Sequence, residues 1–154
     1  MDTAQAGDTF TRMLHAIDAR DWDGVRRAFV ETIEMDYSSL FGAPPACVDA
    51  DTQIAGWRQF AGAFDATQHI TGPIIVEPTR AGATARTHVR AYHRLQGEPG
   101  GDIWMVAGHY TVALVPAGDG WRIGGITLTV FYQEGNLNLP SVARARAASG
   151  GADA

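Results

Sequence analysis

The sequence predicts an α+β fold, in which helices come first and strands follow. Three observations carry this. Apolar residues recur at helical spacing between Phe10 and Phe64. Alternating runs then occupy residues 67–132. Short glycine-bearing turns join those runs, which makes consecutive strands antiparallel neighbours and separates the fold from a doubly wound α/β sheet. Long strands curled over a helical layer would enclose a pocket.

The elements follow in order. Phe10, Met13, Leu14 and Ile17 form the apolar stripe of a first helix. A second, short helix starts at Asp21, whose carboxylate can cap free amides, and buries Trp22, Val25 and Phe29. A strand over Glu31–Tyr37 places Ile33, Met35 and Tyr37 on one face. Gly42-Ala43-Pro44-Pro45 reads as a loop. A third helix starts near Asp51 and buries Ile54, Trp57, Ala61 and Phe64. Four strands complete the domain: Thr67–Val76, Ala83–Leu95, Ile103–Val115 and Trp121–Tyr132. The turns between the last three lie at Gly97–Gly101 and Gly118-Asp119-Gly120. Residues 1–138 form one domain, and residues 139–154, rich in Ala, Gly and Ser, read as a mobile tail with a helical start at Val142-Ala143-Arg144.

Composition excludes several function classes. The chain has 154 residues, with 12 basic against 17 acidic ones and a net charge of −5. That balance disfavours nucleic acid and anionic membrane as partners. Every basic residue is arginine, so Schiff-base and lysine-general-base chemistry are out. Cys47 is the single cysteine, which rules out an intrachain disulfide and fits a cytoplasmic location. No apolar stretch approaches the roughly 20 residues of a membrane span. His88 and His93 are separated by an odd step, so they point to opposite faces of a strand and make a poor metal pair. No G-x-S-x-G elbow surrounds a nucleophile.

The remaining chemistry rests on a few polar residues at apolar positions. On Ala83–Leu95, one face carries Ala85, Thr87, Val89, Ala91, His93 and Leu95, so His93 is an inward imidazole. It is either a satisfied core histidine or a functional one. His69 alternates with Thr67 and Thr71, a pattern that does not decide which face is inside. Asp18 continues the apolar stripe of the first helix. It is either a solvated helix-end carboxylate or the partner of an inward histidine. Tyr37, also inward, either packs or donates its hydroxyl to a substrate carbonyl.

Four segments, in this order, carry a resemblance: Asp18-Ala19-Arg20-Asp21-Trp22-Asp23, Met35-Asp36-Tyr37-Ser38-Ser39, Thr67-Gln68-His69 and Arg90-Ala91-Tyr92-His93. Over residues 8–138 the chain resembles scytalone dehydratase and the wider SnoaL-like group of the nuclear transport factor 2 superfamily. The resemblance implies a cone: a strongly curved, mixed but mostly antiparallel sheet, closed by helices over an apolar pocket. It implies elimination of water from a small cyclic or polyketide-like hydroxy ketone, without metal or organic cofactor. Cyclisation or isomerisation on the same scaffold is the alternative chemistry. Asp18 and His93 would be the hydrogen-bonded carboxylate–imidazole pair, His69 the second imidazole, and Tyr37 the group that polarises the carbonyl. The resemblance also implies a homo-oligomer, dimer or trimer. Ile17 stands where the dehydratase has a tyrosine, and Val112 and Leu114 stand where it has a serine and an asparagine, which implies a more apolar substrate. Trp57, Phe60, Phe64, Trp104, Val112, Leu128 and Phe131 are the candidate substrate-binding wall. A non-catalytic binding module and a protein-interaction subunit are the two other readings of such a scaffold.

Overall fold

A computed structural model of the chain describes residues 2–118 and 120–150. Its helices are α1 (Thr3–Asp18), α2 (Trp22–Arg27), α3 (Ser38–Phe41), α4 (Ala50–Gly62) and α5 (Leu139–Gly150). Its strands are β1 (Phe29–Asp36), β2 (Ala46–Asp49), β3 (Ala66–Thr71), β4 (Ile75–Pro78), β5 (Ala83–Arg94), β6 (Ile103–Ala117) and β7 (Gly120–Gly135). All seven strands share one sheet in the order β2-β1-β7-β6-β5-β3, with β4 also pairing β5. Every pairing is antiparallel except β1 on β7, so the sheet is mixed.

Two bulges bend the long β6–β7 ladder, at Ala107/Gly108 and at Ala113/Leu114. Extra residues on one strand increase local twist and curl the sheet. Gly108 is required at the first bulge, because a Cβ there would collide with the Thr129 carbonyl. The concave face so made is covered by α1, which touches β3, β4, β5 and β7. Phe10, Met13, Leu14 and Ile17 are all buried against it, as their spacing predicts. Asp21 caps α2 by accepting from the Gly24 amide at 2.8 Å.

Some boundaries differ from the sequence reading. Phe29 opens β1 rather than ending α2, and Tyr37 lies one residue past β1, at the N-cap of α3. The cap of α4 is Asp49, which accepts from the Thr52 amide at 2.9 Å. The expected strand Thr67–Val76 is two strands, because Gly72-Pro73 interrupts the ladder where proline has no amide to donate. β2 follows Pro44-Pro45 and pairs with β1. The expected mobile tail is corrected over residues 139–150, which form α5, with Leu139 and Ala143 fully buried. Asp119 of the expected last turn, and residues 151–154, lie outside the described residues. Among the described residues, no helix is long and apolar enough to cross a membrane.

Candidate active site

The end of α1 sets the first polar group. The Arg20 amide donates to Ile17 and the Asp21 amide to Ala16, the paired closure of a helix whose next residue is left-handed. That residue is Arg20, with φ 60, at a position where glycine fits without strain. The arginine side chain repays the strain by what it touches. Its guanidinium donates to the Ala61 carbonyl at 2.8 Å and to Thr67 Oγ1 at 3.0 Å.

This fixes the polarity of the next bonds. Thr67 Oγ1 accepts from Arg20, so its own hydrogen goes to Asp18 Oδ1, 3.0 Å away. Asp18 Oδ2 accepts the His69 amide at 2.7 Å, and Oδ1 also contacts His69 Nδ1 at 2.7 Å. Burial alone would push the Asp18 carboxyl up, but its bonds to His69 and Thr67 together hold it below its ordinary value. The carboxylate is ionised and accepts only. His69 Nδ1 is therefore the donor in this pair, and in the neutral form of the ring that leaves a lone pair on Nε2.

His93 sits across from this dyad, with the two imidazole centroids 6.4 Å apart. Its Nδ1 lies 3.2 Å from the Trp104 carbonyl, which can only accept, so Nδ1 holds the proton here too. Its ring stacks on Trp104 at 4.3 Å. Burial, then the nearby His69 imidazole, push His93 down to about 3, so it is neutral at physiological pH. The resemblance pairs Asp18 with His93; the structure corrects this, since Asp18 bonds His69. The physical reason is register: β3 pairs Thr67 with His93, which carries His69 two residues beyond and beside the end of α1.

The neutrality of His93 has a measurable consequence. Below its ordinary value of 6.5, the unfolded chain takes up a proton that the folded chain refuses until about 3. Stability contributed by this group is present in full above 6.5 and lost as pH falls toward 3. Thermal unfolding from about pH 7 down to about pH 4 checks it. The midpoint of His93→Gln is expected to fall less steeply than that of the wild type. Parallel curves would contradict the assignment.

Tyr37 reaches the site from the start of α3. Asp36 Oδ1 accepts the Ser38 amide at 3.0 Å, and Ser39 Oγ donates to the Leu128 carbonyl at 2.7 Å, which pins this turn to β7. Tyr110 comes from β6 and holds Phe10 edge-on at 5.2 Å. Burial, then the neighbouring phenol, raise Tyr37 well above its ordinary value, and burial pushes Tyr110 up to about 12. Both remain O–H donors at neutral pH.

These groups converge on one cavity of about 90 Å³, lined by His69, His93, Tyr37, Tyr110 and Thr67 among apolar side chains. Asp18 stands behind His69. Of the expected wall residues, Trp57, Phe60, Trp104 and Leu128 line the cavity. Phe64 does not; it packs on the His93 ring at 5.1 Å. Val112 is fully buried in the core but does not reach the cavity. Phe131 is 57% exposed on the outer face. The first bulge explains it: Ala107 pairs with Tyr132 and Gly108 with Val130, which leaves Phe131 as the unpaired extra residue. Tyr110 is the site residue that the sequence reading missed. Its signal was the alternation Trp104, Val106, Gly108, Tyr110, Val112 on β6. Among the described residues, no group of three His, Cys, Asp or Glu side chains is placed to hold a metal ion.

The model of the SnoaL-like domain matches residues 1–127. The chain belongs to the SnoaL-like family. No curated protein matches this SnoaL-like chain in sequence. Among solved structures, it is similar to the Kfla4162 protein of Kribbella flavida, with 34% identity, TM-score 0.85, and coverage of 91% of this chain and 97% of that one. A Novosphingobium aromaticivorans protein provisionally named a scytalone dehydratase superposes with TM-score 0.74 at 19% identity, covering 86% of each chain. A hexachlorocyclohexane dehydrochlorinase superposes with TM-score 0.67 at 14% identity, covering 86% of this chain and 87% of that one. The last two are likenesses of fold.

Proposed function

We propose that this SnoaL-like domain is a lyase that removes water from a small cyclic hydroxy ketone through an enolate. The observation that carries the reading is the Asp18–His69 dyad, whose free Nε2 belongs to a residue lining the same apolar cavity as two phenol donors. A base with an orienting carboxylate, opposite oxyanion donors in a dry site, is the arrangement that proton abstraction beside a carbonyl needs. The dehydratase name carried by one structural relative agrees with it.

The steps balance on these residues. His69 Nε2 takes the proton from the carbon next to the carbonyl, and the C–H electrons move to the carbonyl oxygen. Tyr37 and Tyr110 donate to that oxygen as charge develops. The electrons then return and expel the hydroxyl group from the next carbon. The imidazolium of His69 gives its proton to the leaving hydroxide, so water departs and the base is restored. Neutral His93 offers Nε2 as an acceptor that orients the substrate hydroxyl.

The test uses 3-hydroxy-1-tetralone, which loses one water and tautomerises to 1-naphthol, read by absorbance. The wild type is expected to catalyse this elimination and to exchange the α-hydrogens of 1-tetralone in deuterium oxide. Tyr37→Phe is expected to lose about 10²-fold in kcat, the usual cost of one oxyanion donor. Neither elimination nor exchange above the buffer rate would overturn the reading.

A further inference from the structure

The cavity of about 90 Å³ is smaller than the substrate it is asked to hold. An engineered apolar cavity of about 150 Å³ takes a single benzene ring. Beside the chamber lies a second cleft of about 600 Å³, between the turn after α3, β2, α4 and α5. The two spaces share Tyr37, Phe41, Trp57 and Phe60, so their partition is a set of aromatic rings rather than backbone. Phe41 meets Phe60 edge-on at 6.0 Å, and Phe41 is 40% exposed, so this part of the wall is lightly held.

The walls of the cleft are chemically lopsided. They hold apolar side chains, two glutamines and one charged group, Arg144, and they contain no carboxylate. The Arg144 guanidinium sits over the Phe41 ring, 4.5 Å from its centroid. Arg144 makes no ion pair among the described residues, although the whole chain carries −5. A guanidinium held on an aromatic face, at the edge of an apolar cleft, keeps its planar donor fork free for a carboxylate.

We infer that the cleft is the second compartment of the substrate site and that Arg144 binds a carboxylate carried by the substrate. The substrate class is then an aromatic or polyketide-like keto acid. Its reacting ring passes Phe41 and Phe60 into the chamber, and its acid group stays at Arg144. This rests on the chamber being the reaction site, so the experiment reads binding rather than turnover.

Calorimetric titrations would use 1-naphthol as the ring alone, and a series of 1-naphthylalkanoates from the acetate to the pentanoate. The corresponding uncharged primary alcohols serve as partners. One chain length is expected to bind roughly tenfold more tightly as the acid than as the alcohol, as a charged hydrogen bond supplies. Arg144→Gln removes that gain and leaves 1-naphthol binding unchanged, which also reports that the variant folds. Arg144→Lys keeps part of the gain, because charge remains and the fork is lost. Acid and alcohol binding alike at every length, or a gain that survives Arg144→Gln, would overturn the inference. Acids that bind through Arg144 while 1-naphthol does not would support the cleft and sink the chamber as the ring site. Failure of every probe sinks both.

Discussion

Asp18→Asn is expected to lower kcat on 3-hydroxy-1-tetralone by about 10⁴-fold, the loss seen when a base is left in the wrong tautomer. The reason lies in the two oxygens of Asp18. Oδ2 faces the His69 amide, a donor that cannot turn away. The asparagine must place its oxygen there, which puts its NH₂ against His69 Nδ1. The imidazole then accepts at Nδ1 and carries its proton on Nε2, where the base was. The Thr67 hydroxyl loses its acceptor as well, since Arg20 fixes it as a donor toward Asp18. Nitrogen-15 NMR of His69 should report the proton on Nε2 in the variant and on Nδ1 in the wild type. Turnover within tenfold of the wild type would remove the dyad from the mechanism.

Phe10→Ala is expected to cost about 3–5 kcal/mol of stability, read from the urea midpoint. Phe10 is fully buried, sits edge-on to Tyr110 at 5.2 Å, and also lines the cavity. Its loss opens the space between α1 and the sheet into a chamber that is already hollow, so little can collapse to refill it. Against a typical total of about 5–15 kcal/mol, such a loss is a large fraction. A midpoint near that of the wild type would mean that α1 repacks onto β6, contrary to the close packing seen.

The fold was readable where periodicity was strong. The α1 stripe, the inward face of β5 with His93, and the β5–β6–β7 meander all followed from spacing. The parallel partner of β1 did not, because nothing local in Phe29–Asp36 distinguishes β7 from any other neighbour. Of α5 only a start at Val142-Ala143-Arg144 could be read, because its Ala, Gly and Ser composition shows no stripe and the helix is anchored by Leu139 and Ala143 alone. At the site, Asp18 was visible as a carboxylate on an apolar stripe, but its partner was not. On β3 the His69 face carries only Thr67 and Thr71 beside it, and the opposite face Ala66, Gln68 and Ile70, so hydrophobicity could not say that His69 points inward. Phe131 was misplaced because a bulge shifts the alternation by one residue, and a bulge leaves little trace in a single sequence.

The parallel pairing of β1 with β7 also governs how the protein can be made. Glu34 of β1 lies opposite Gly125, and Ile123 donates its amide to the Ala28 carbonyl. A ribosome delivers the amino-terminal third long before those partners exist. Until β7 emerges, the edge of β1 that faces away from β2 has no native partner. The last strand to be synthesised completes the centre of the sheet rather than its rim. Pairing of β1 with β7 therefore closes a long loop at a high entropic cost and waits until the other strands of the sheet have been made.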